Sequence, residues 1–422
     1  MNRRYFFGAA LTAVFDGRAV AASDKVRVGM IGLGGRGRSL LGQCAKTPGV
    51  SVAWLCDIDQ ANLERASKLV AGGAPKTTGD LRRMLEDRDL DAVFIATPGH
   101  WHAPASILAC DAGKDVYVEK PASHNLREGR LTVEAARRTR RIVQHGTQGR
   151  SHSAVIRAME YANSGKIGKV LAAKAWNVQL RKNIGHATEG PVPRGIDYDT
   201  WVGPAEWMPY KPNRFHYTWH WCWNFGTGDM GNDGAHQIDQ ARWALGVDYP
   251  VRVSGMGAKL FFEDDQETPD TMNVTFEYAN GKILIWEMRI WNPYGMEQID
   301  NATGIYGTEG MVQVGDWDRK WGFKAFDRDG KQVLHDNEGG GGKDDDHIAN
   351  FVECVRTRKA PNAAIETAGH ISAAHCHLGN IVARTGRNLK FDAKTETIAA
   401  DAEASALMRR KYRPHWSVPR NV

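Results

Sequence analysis

Residues 26–37 read Val26-Arg27-Val28-Gly29-Met30-Ile31-Gly32-Leu33-Gly34-Gly35-Arg36-Gly37, an apolar run that breaks into a Gly-x-Gly-x-x-Gly turn. Arg38 and the patterned stretch Leu40 to Ala45 follow, so the order is strand, tight turn, helix. Gly32 serves the turn, Gly34 lets backbone approach a pyrophosphate, and Gly37 lets the helix pack on the strand. Gly35 and Arg36 open the helix, whose N-terminal N–H groups and positive dipole favour an anion. The expected ligand is a dinucleotide. On its own the glycine pattern fits a generic loop equally well, and the flanking chain has to decide.

A chain of 422 residues with 42% hydrophobic content can bury a large core and is expected to form two domains. The net charge of +6 is spread over 55 basic and 49 acidic residues rather than gathered in a block, which argues against nucleic acid as a partner. Six cysteines (Cys44, Cys56, Cys110, Cys222, Cys354, Cys376) lie far apart without a CxxC pair, so neither a zinc ribbon nor a disulfide framework is expected. No apolar run is long enough to span a bilayer. Residues 1–22 carry Arg3-Arg4, an apolar run to Phe15 and the small-residue site Ala19-Val20-Ala21, and they resemble a twin-arginine signal peptide, with Asp16 and Arg18 as departures. Export of an already folded protein to the periplasm or beyond, with cofactor loaded and no membrane attachment after signal removal, is the corresponding expectation.

Residues 25–148 alternate strands and helices, the pattern of a doubly wound parallel sheet of the Rossmann type. Val50 to Cys56 reads as the second strand and Asp57 stands at its end, twenty residues beyond Gly37. A carboxylate there accepts from both ribose hydroxyls and repels a 2′-phosphate, which favours NAD over NADP; capping of the helix from Gln60 is compatible with the same residue. Helices are expected over Asn62–Val70, Asp80–Asp87 and Leu126–Arg138, and strands over Asp91–Ala96, Asp115–Val118 and Arg141–His145. Two strands end in chemistry-bearing loops, Thr97-Pro98-Gly99-His100-Trp101-His102 and Glu119-Lys120-Pro121, where a parallel sheet places its ligands.

The stretch IATPGHWHAPASILACDAGKDVYVEKP resembles the cofactor-domain signature of the glucose-fructose oxidoreductase, inositol dehydrogenase and rhizopine-catabolism family (Gfo/Idh/MocA). The resemblance implies that Lys120 reaches both nicotinamide and the reacting hydroxyl, and that Thr97, Pro98, His100, His102 and Glu119 belong to the cofactor pocket. A lysine at a strand end can exchange a proton with a substrate alcohol, which agrees. His100 and His102 fit either the nicotinamide pocket or the satisfaction of backbone groups. Gly99 stands where relatives often carry an acid.

Residues 149–422 change character. Val170–Trp176, Val251–Leu260, Thr271–Tyr278 and Lys282–Ile290 alternate apolar with polar residues, and Asn280-Gly281 joins the last two as a hairpin. An α+β domain with an open, mainly antiparallel sheet is expected, and the resemblance makes it the substrate and oligomerisation domain of a homo-oligomer. In Trp219 to Gly246 a glycine-rich loop leads into a helix bearing Asn232, Asp233, His236 and Asp239. His236 matches the family's catalytic histidine, with Asp239 one turn away to orient it. The family's usual aspartate four residues before that histidine is here Asn232, which cannot take a proton. Trp201, Trp207, Trp219, Trp221 and Trp223, with Tyr210, Asn213, Arg214 and His216, suit pyranose rings, and structural packing suits them equally; Arg181 and Lys182 lie in a neighbouring loop. His375-Cys376-His377 faces apart on a helix, so no metal site is expected, and Gly339–Gly342 with Asp344–Asp346 reads as a flexible loop capping the helix from His347.

These residues point to an NAD(P)-dependent oxidoreductase that moves hydride between a tightly bound nicotinamide and a sugar carbon, with Lys120 and His236 catalytic. The alternative is a redox-neutral glycosidase resembling glycoside hydrolase family 109, whose members usually have an apolar residue where this chain has Lys120. A carbohydrate-binding protein without turnover is the third reading.

Overall fold

The computed structural model describes residues 25–70, 73–317, 320–338 and 343–422. The expected signal peptide at 1–22 and the Gly339–Gly342 loop lie outside the described residues. The first unit runs β1 (Val26–Ile31), α1 (Gly35–Cys44), β2 (Val50–Cys56), α2 (Gln60–Ser67), β3 (Lys76–Thr78) and α3 (Leu81–Leu85). It continues with β4 (Ala92–Ile95), α4 (His102–Asp111), β5 (Asp115–Val118), α5 (Leu126–Thr139) and β6 (Val143–His145). The sheet order is β3-β2-β1-β4-β5-β6 with every pairing parallel, the expected doubly wound sheet. Short β3 has no counterpart in the sequence pattern, because Lys76-Thr77-Thr78 carries no apolar signal. The strands β4 and β5 are buried along their whole length, as in a sheet covered by helices on both faces.

The second unit begins with α6 (Ser153–Asn163), β7 (Val170–Asn177), α7 (Tyr198–Val202), α8 (Gly228–Asn232) and α9 (Gly234–Leu245). Strands β8 (Arg252–Ala258), β9 (Thr271–Glu277), β10 (Ile283–Arg289), β11 (Asn301–Gly307), β12 (Gly310–Trp317), β13 (Lys320–Asp327) and β14 (Gln332–Asp336) follow. After α10 (Lys343–Thr357) and α11 (His370–Thr385) the chain closes the sheet with β15 (Leu389–Asp392) and β16 (Thr397–Ile398). The ten strands run β14-β13-β12-β11-β7-β10-β9-β8-β15-β16. Pairing is antiparallel except between β7 and β10. The Asn280-Gly281 hairpin forms as expected: Gly281 has φ +79° and its N–H donates to the Tyr278 carbonyl at 2.9 Å. Alternation places Met272, Val274 and Phe276 of β9, and Leu284, Trp286 and Met288 of β10, in the core.

Helix α10 does not join that core. Ile348, Phe351, Val352 and Val355 pack with Val28, Met30, Leu40 and Phe94 of the first unit. Phe351 meets Phe94 edge-on at 5.3 Å, and Phe94 stacks on Tyr117 at 5.0 Å. The core around β1 is therefore completed by residues about 200 positions downstream of β6. Replacing Phe351 with Ala removes a buried ring from this junction and is expected to cost about 3–5 kcal/mol in urea unfolding.

A second expectation concerns acid. Burial lowers His100, His375 and His377 to about 3, and His145 and His347 to about 4. The unfolded chain binds protons at these positions from about pH 6.5 downward while the native chain does not. Stability is therefore full above about pH 6.5 and falls as pH drops toward 4, each histidine removing up to about 1.4 kcal/mol per pH unit. Urea midpoints measured from pH 8 to pH 4 test this; a flat profile contradicts it.

Candidate active site

The turn at Gly32 is set by contact. It has φ +83°, and an added Cβ would sit 2.7 Å from the Ala96 carbonyl carbon. At Gly37 an added Cβ would lie 1.9 Å from the Gly32 carbonyl oxygen, so α1 approaches the turn only because this residue has no side chain. Gly34 and Gly35 differ: an added Cβ there meets nothing within 4 Å. Both line a cavity of about 670 Å³. Helix α1 starts at this wall without a side-chain cap, so its first N–H groups are available to an anion. Thr97 Oγ1, on the same wall, is buried without a hydrogen-bond partner. Open glycines, an uncapped helix start and an orphaned hydroxyl on one wall fit a dinucleotide.

Asp57 is also on the wall. Its Oδ2 accepts the Leu33 N–H at 2.5 Å and its Oδ1 the Asp59 N–H at 2.9 Å. Burial raises its pKa, and these N–H donors oppose the rise. Capping of α2 falls to Asp59, which accepts from Ala61 N–H at 2.9 Å. Arg36 lines the cavity but spends its guanidinium elsewhere: Nε donates to Glu119 at 2.7 Å and the two terminal nitrogens to Asp344 at 2.9 Å each. Burial works against the Glu119 charge, but Arg36 and Lys120 outweigh it and hold the carboxyl below its ordinary value.

The two histidines of the Thr97–His102 loop separate. His100 is fully buried, donates Nε2–H to the Trp201 carbonyl at 2.9 Å, and is not among the residues lining the cavity. His102 lines it, with ring nitrogens 2.6 Å from the Pro121 carbonyl and 2.9 Å from the Thr97 carbonyl, and so ties the two strand-end loops together. Pro98, Glu119 and Lys120 complete this part of the wall.

Lys120 Nζ donates to Asn232 Oδ1 at 2.7 Å, across the junction of the two units. Asn232 Nδ2 in turn donates to Asp229 Oδ1 at 2.7 Å, and Arg181 Nε donates to Asp229 Oδ2 at 2.7 Å. Arg181 also pairs with Asp233. The negative charge absent at 232 thus reappears at 229, one helical turn earlier, with a neutral amide between it and the lysine. Burial and the neighbouring Asp229 raise the pKa of Asp233, which shares the cavity wall with Asn232. His236 lies one turn beyond Asn232, half-buried, with its backbone N–H donating to the Asp233 carbonyl at 2.9 Å; it is not among the lining residues. Asp239, expected to orient it, serves a different partner. Its carboxylate accepts from Arg150 at 2.7 and 2.9 Å and from Ser372 Oγ at 2.7 Å.

Of the five tryptophans, Trp201 and Trp219 line the cavity. Trp221 joins the second core, Trp207 stands 53% exposed beneath Arg413, and Trp223 lies under Arg384. Arg214 reaches the Pro209 carbonyl at 3.4 Å and Asn213 the Gly185 carbonyl at 2.9 Å; neither lines the cavity, whereas His216 does. Gln179, Tyr217 and His220 also line it and were not singled out from sequence, because they sit in a long segment without periodicity. That segment is fastened to the first unit by Asp197 N–H donating to the Ile58 carbonyl and Gln60 N–H donating to the Gly195 carbonyl, both at 3.0 Å. Among the described residues no group of three or more His, Cys, Asp or Glu is arranged to hold a metal.

Residues 26–147 match the family model described as oxidoreductase family, NAD-binding Rossmann fold. Residues 174–418 match that described as oxidoreductase family, C-terminal alpha/beta domain. A curated relative from Shewanella baltica, named glycosyl hydrolase family 109 protein, is 35% identical over 179 residues, which is 39% of this chain and 38% of the relative. One of the same name from Saccharopolyspora erythraea is 33% identical over 175 residues, again 39% and 38%. The match to these curated relatives thus spans well under half of their length. In structure the chain is similar to an aldose-aldose oxidoreductase from Caulobacter crescentus (TM-score 0.68, 17% identity, 87% of this chain and 100% of that one). It is also similar to the WlbA dehydrogenase from Bordetella pertussis in complex with NADH and UDP-GlcNAcA (TM-score 0.66, 20% identity, 87% and 99%). With both of its units matched, the chain belongs to the Gfo/Idh/MocA oxidoreductase family.

Proposed function

We propose that this protein is an NAD-dependent oxidoreductase acting on a hydroxyl-bearing carbon of a sugar, with its cofactor tightly held. The observation that carries the reading is the 2.7 Å bond from Lys120 to Asn232 on the wall of the cavity that also holds the open glycines of the turn. In this assignment the α1 N-terminus with Gly34 and Gly35 holds the pyrophosphate, and Asp57 holds the adenosine ribose and disfavours a 2′-phosphate. A bound nicotinamide supplies the hydride chemistry. Lys120, fixed by Asn232, donates a hydrogen bond to the substrate oxygen and stabilises charge that develops there. His236, which does not itself line the cavity, is assigned on the family resemblance to receive or return the hydroxyl proton. Trp219 and Asp233 contact the sugar. Residues 1–22 are assigned to twin-arginine export to the periplasm, and the open sheet to a homo-oligomer.

The names of the Shewanella and Saccharopolyspora relatives favour a second reading at the same cavity, redox-neutral cleavage of a glycoside, in which oxidation and re-reduction of the substrate cancel. Two steps separate these readings. Purified protein is first denatured and assayed for released NAD. The intact protein is then incubated with free sugars and with aryl glycosides, without added cofactor. NADH accumulating with free sugars supports the oxidoreductase; aglycone released without NADH supports the glycosidase; no released NAD, and no NAD binding on titration, sinks both.

Lys120→Ala is expected to lower kcat at least about 100-fold with NAD content unchanged. Asn232→Asp removes the amide N–H that Asp229 accepts and sets two carboxylates side by side. The pair is expected to share a proton, raising one pKa. A raised folded-state pKa gives stability that is present at low pH and lost as pH rises through it, so the Tm deficit of this variant should grow from pH 5 to pH 8. A deficit independent of pH contradicts the charge arrangement described above.

A further inference from the structure

We infer that His220 is a substrate-contacting residue, whose Nε2 accepts a hydrogen bond from a hydroxyl of an uncharged sugar. The inference rests on the sugar reading above and adds a residue and a substrate class to it.

The tautomer follows from the partner. His220 Nδ1 contacts the backbone carbonyl oxygen of Tyr217, which can only accept, so Nδ1 carries the hydrogen and Nε2 presents a lone pair. Among the described residues Nε2 has no protein partner, and His220 lines the cavity beside Lys120, Tyr217, Asn232 and Asp233. The ring is held flat on Trp219, centroids 3.7 Å apart and planes 20° apart, so the direction of the lone pair is fixed. Burial, reinforced by the nearby Lys120 charge, lowers the imidazole to about 3. It therefore stays neutral throughout the working pH range and serves as an acceptor rather than a proton store.

The charges around it select for a neutral ligand. Arg181, on the same wall, is taken up by Asp229 and Asp233, and Tyr217 Oη accepts from the same guanidinium at 3.3 Å. A carboxylate or phosphate entering here would meet the Asp233 carboxyl and the His220 lone pair, with Lys120 as the one cation on this stretch of wall that no described carboxylate pairs. A hydroxyl instead finds a donor in Lys120 and acceptors in His220 and Asp233, the alternation a polyol satisfies.

Holoenzyme is titrated with D-glucose, D-galactose, N-acetyl-D-glucosamine and D-glucuronate, with tryptophan fluorescence as readout because Trp219 stacks on His220. The monodeoxy derivatives of the best binder follow, in native protein and in His220→Phe and His220→Gln. Phe keeps a flat ring on Trp219 without the acceptor, and Gln restores an acceptor. Expected are binding of an uncharged sugar, about tenfold or greater loss for one monodeoxy derivative, disappearance of that difference in His220→Phe, and its partial return in His220→Gln. Equal discrimination in native protein and both variants overturns the role of His220 and leaves the sugar reading standing. Tighter binding of glucuronate than of every uncharged sugar overturns the substrate class. Retained NAD with no response to any sugar overturns the sugar reading itself. If His220→Phe fails to fold by circular dichroism, the same comparison between native protein and His220→Gln decides, since a shifted amide acceptor must change which deoxy position is penalised.

Discussion

Arg36 stands where three pieces of chain meet. It belongs to the first turn of α1, it binds Glu119 beside Lys120, and it binds Asp344 on α10. Glu119 also accepts from Gln148 at 3.3 Å, on the segment that leaves β6. A buried carboxylate paired this way is costly to strip of its partner, about 3–5 kcal/mol for such pairs, so the position of Lys120 is inherited from this junction. Sequence reading assigns Arg36 to the cofactor because it follows the glycine turn. In the folded chain its charge is neutralised by two carboxylates, and what the turn offers an anion is backbone N–H groups instead.

A similar displacement governs the other side of the cavity. Moving a carboxylate from 232 to 229 leaves a lysine that touches an amide rather than an anion. The Asn232 side chain is fixed at both ends, its oxygen by Lys120 and its nitrogen by Asp229, so it transmits position without carrying charge. Arg181 then balances Asp229 and Asp233. Four charged side chains around this end of the cavity sum to zero, and the alternation of donors and acceptors, not net charge, is what a ligand meets.

The first sheet apart from β3, and the β9–β10 hairpin of the second, are legible in the sequence because their signals are local. Val26–Gly37 holds strand, turn and helix within one stretch, and Asn280-Gly281 encodes its own hairpin. Strands β11 to β13 carry no clear signal because Gly304, Gly307, Gly310, Gly315 and Gly322 interrupt the apolar alternation that identifies β9 and β10, and β14 is exposed along nearly its whole length. The placement of α10 in the first core was not legible either: an amphipathic helix states that it has an apolar face, not which of two cores receives it. The same limit applies to Asp239. Its spacing from His236 allowed a pair, and Arg150, 89 residues away in sequence, took the carboxylate instead.

Histidine makes the distinction most clearly, since sequence treats all of its copies alike. His100 and His124 each donate Nε2–H to a backbone carbonyl and leave Nδ1 buried without a partner. His347 spends one nitrogen on Ser151 and the other on the His145 carbonyl. In these residues a carbonyl fixes the tautomer and burial keeps the ring neutral, so the imidazole works as a rigid polar spacer. His220 follows the same two rules, with a carbonyl on Nδ1 and a strongly lowered pKa, but it is half-buried rather than fully buried. For His100 the second nitrogen is buried in the packed interior, whereas His220 is one of the residues that line a cavity. Function at this position is therefore a property of where the chain leaves a space, and the space is made by the segment of 179–220 folding across the end of the first sheet.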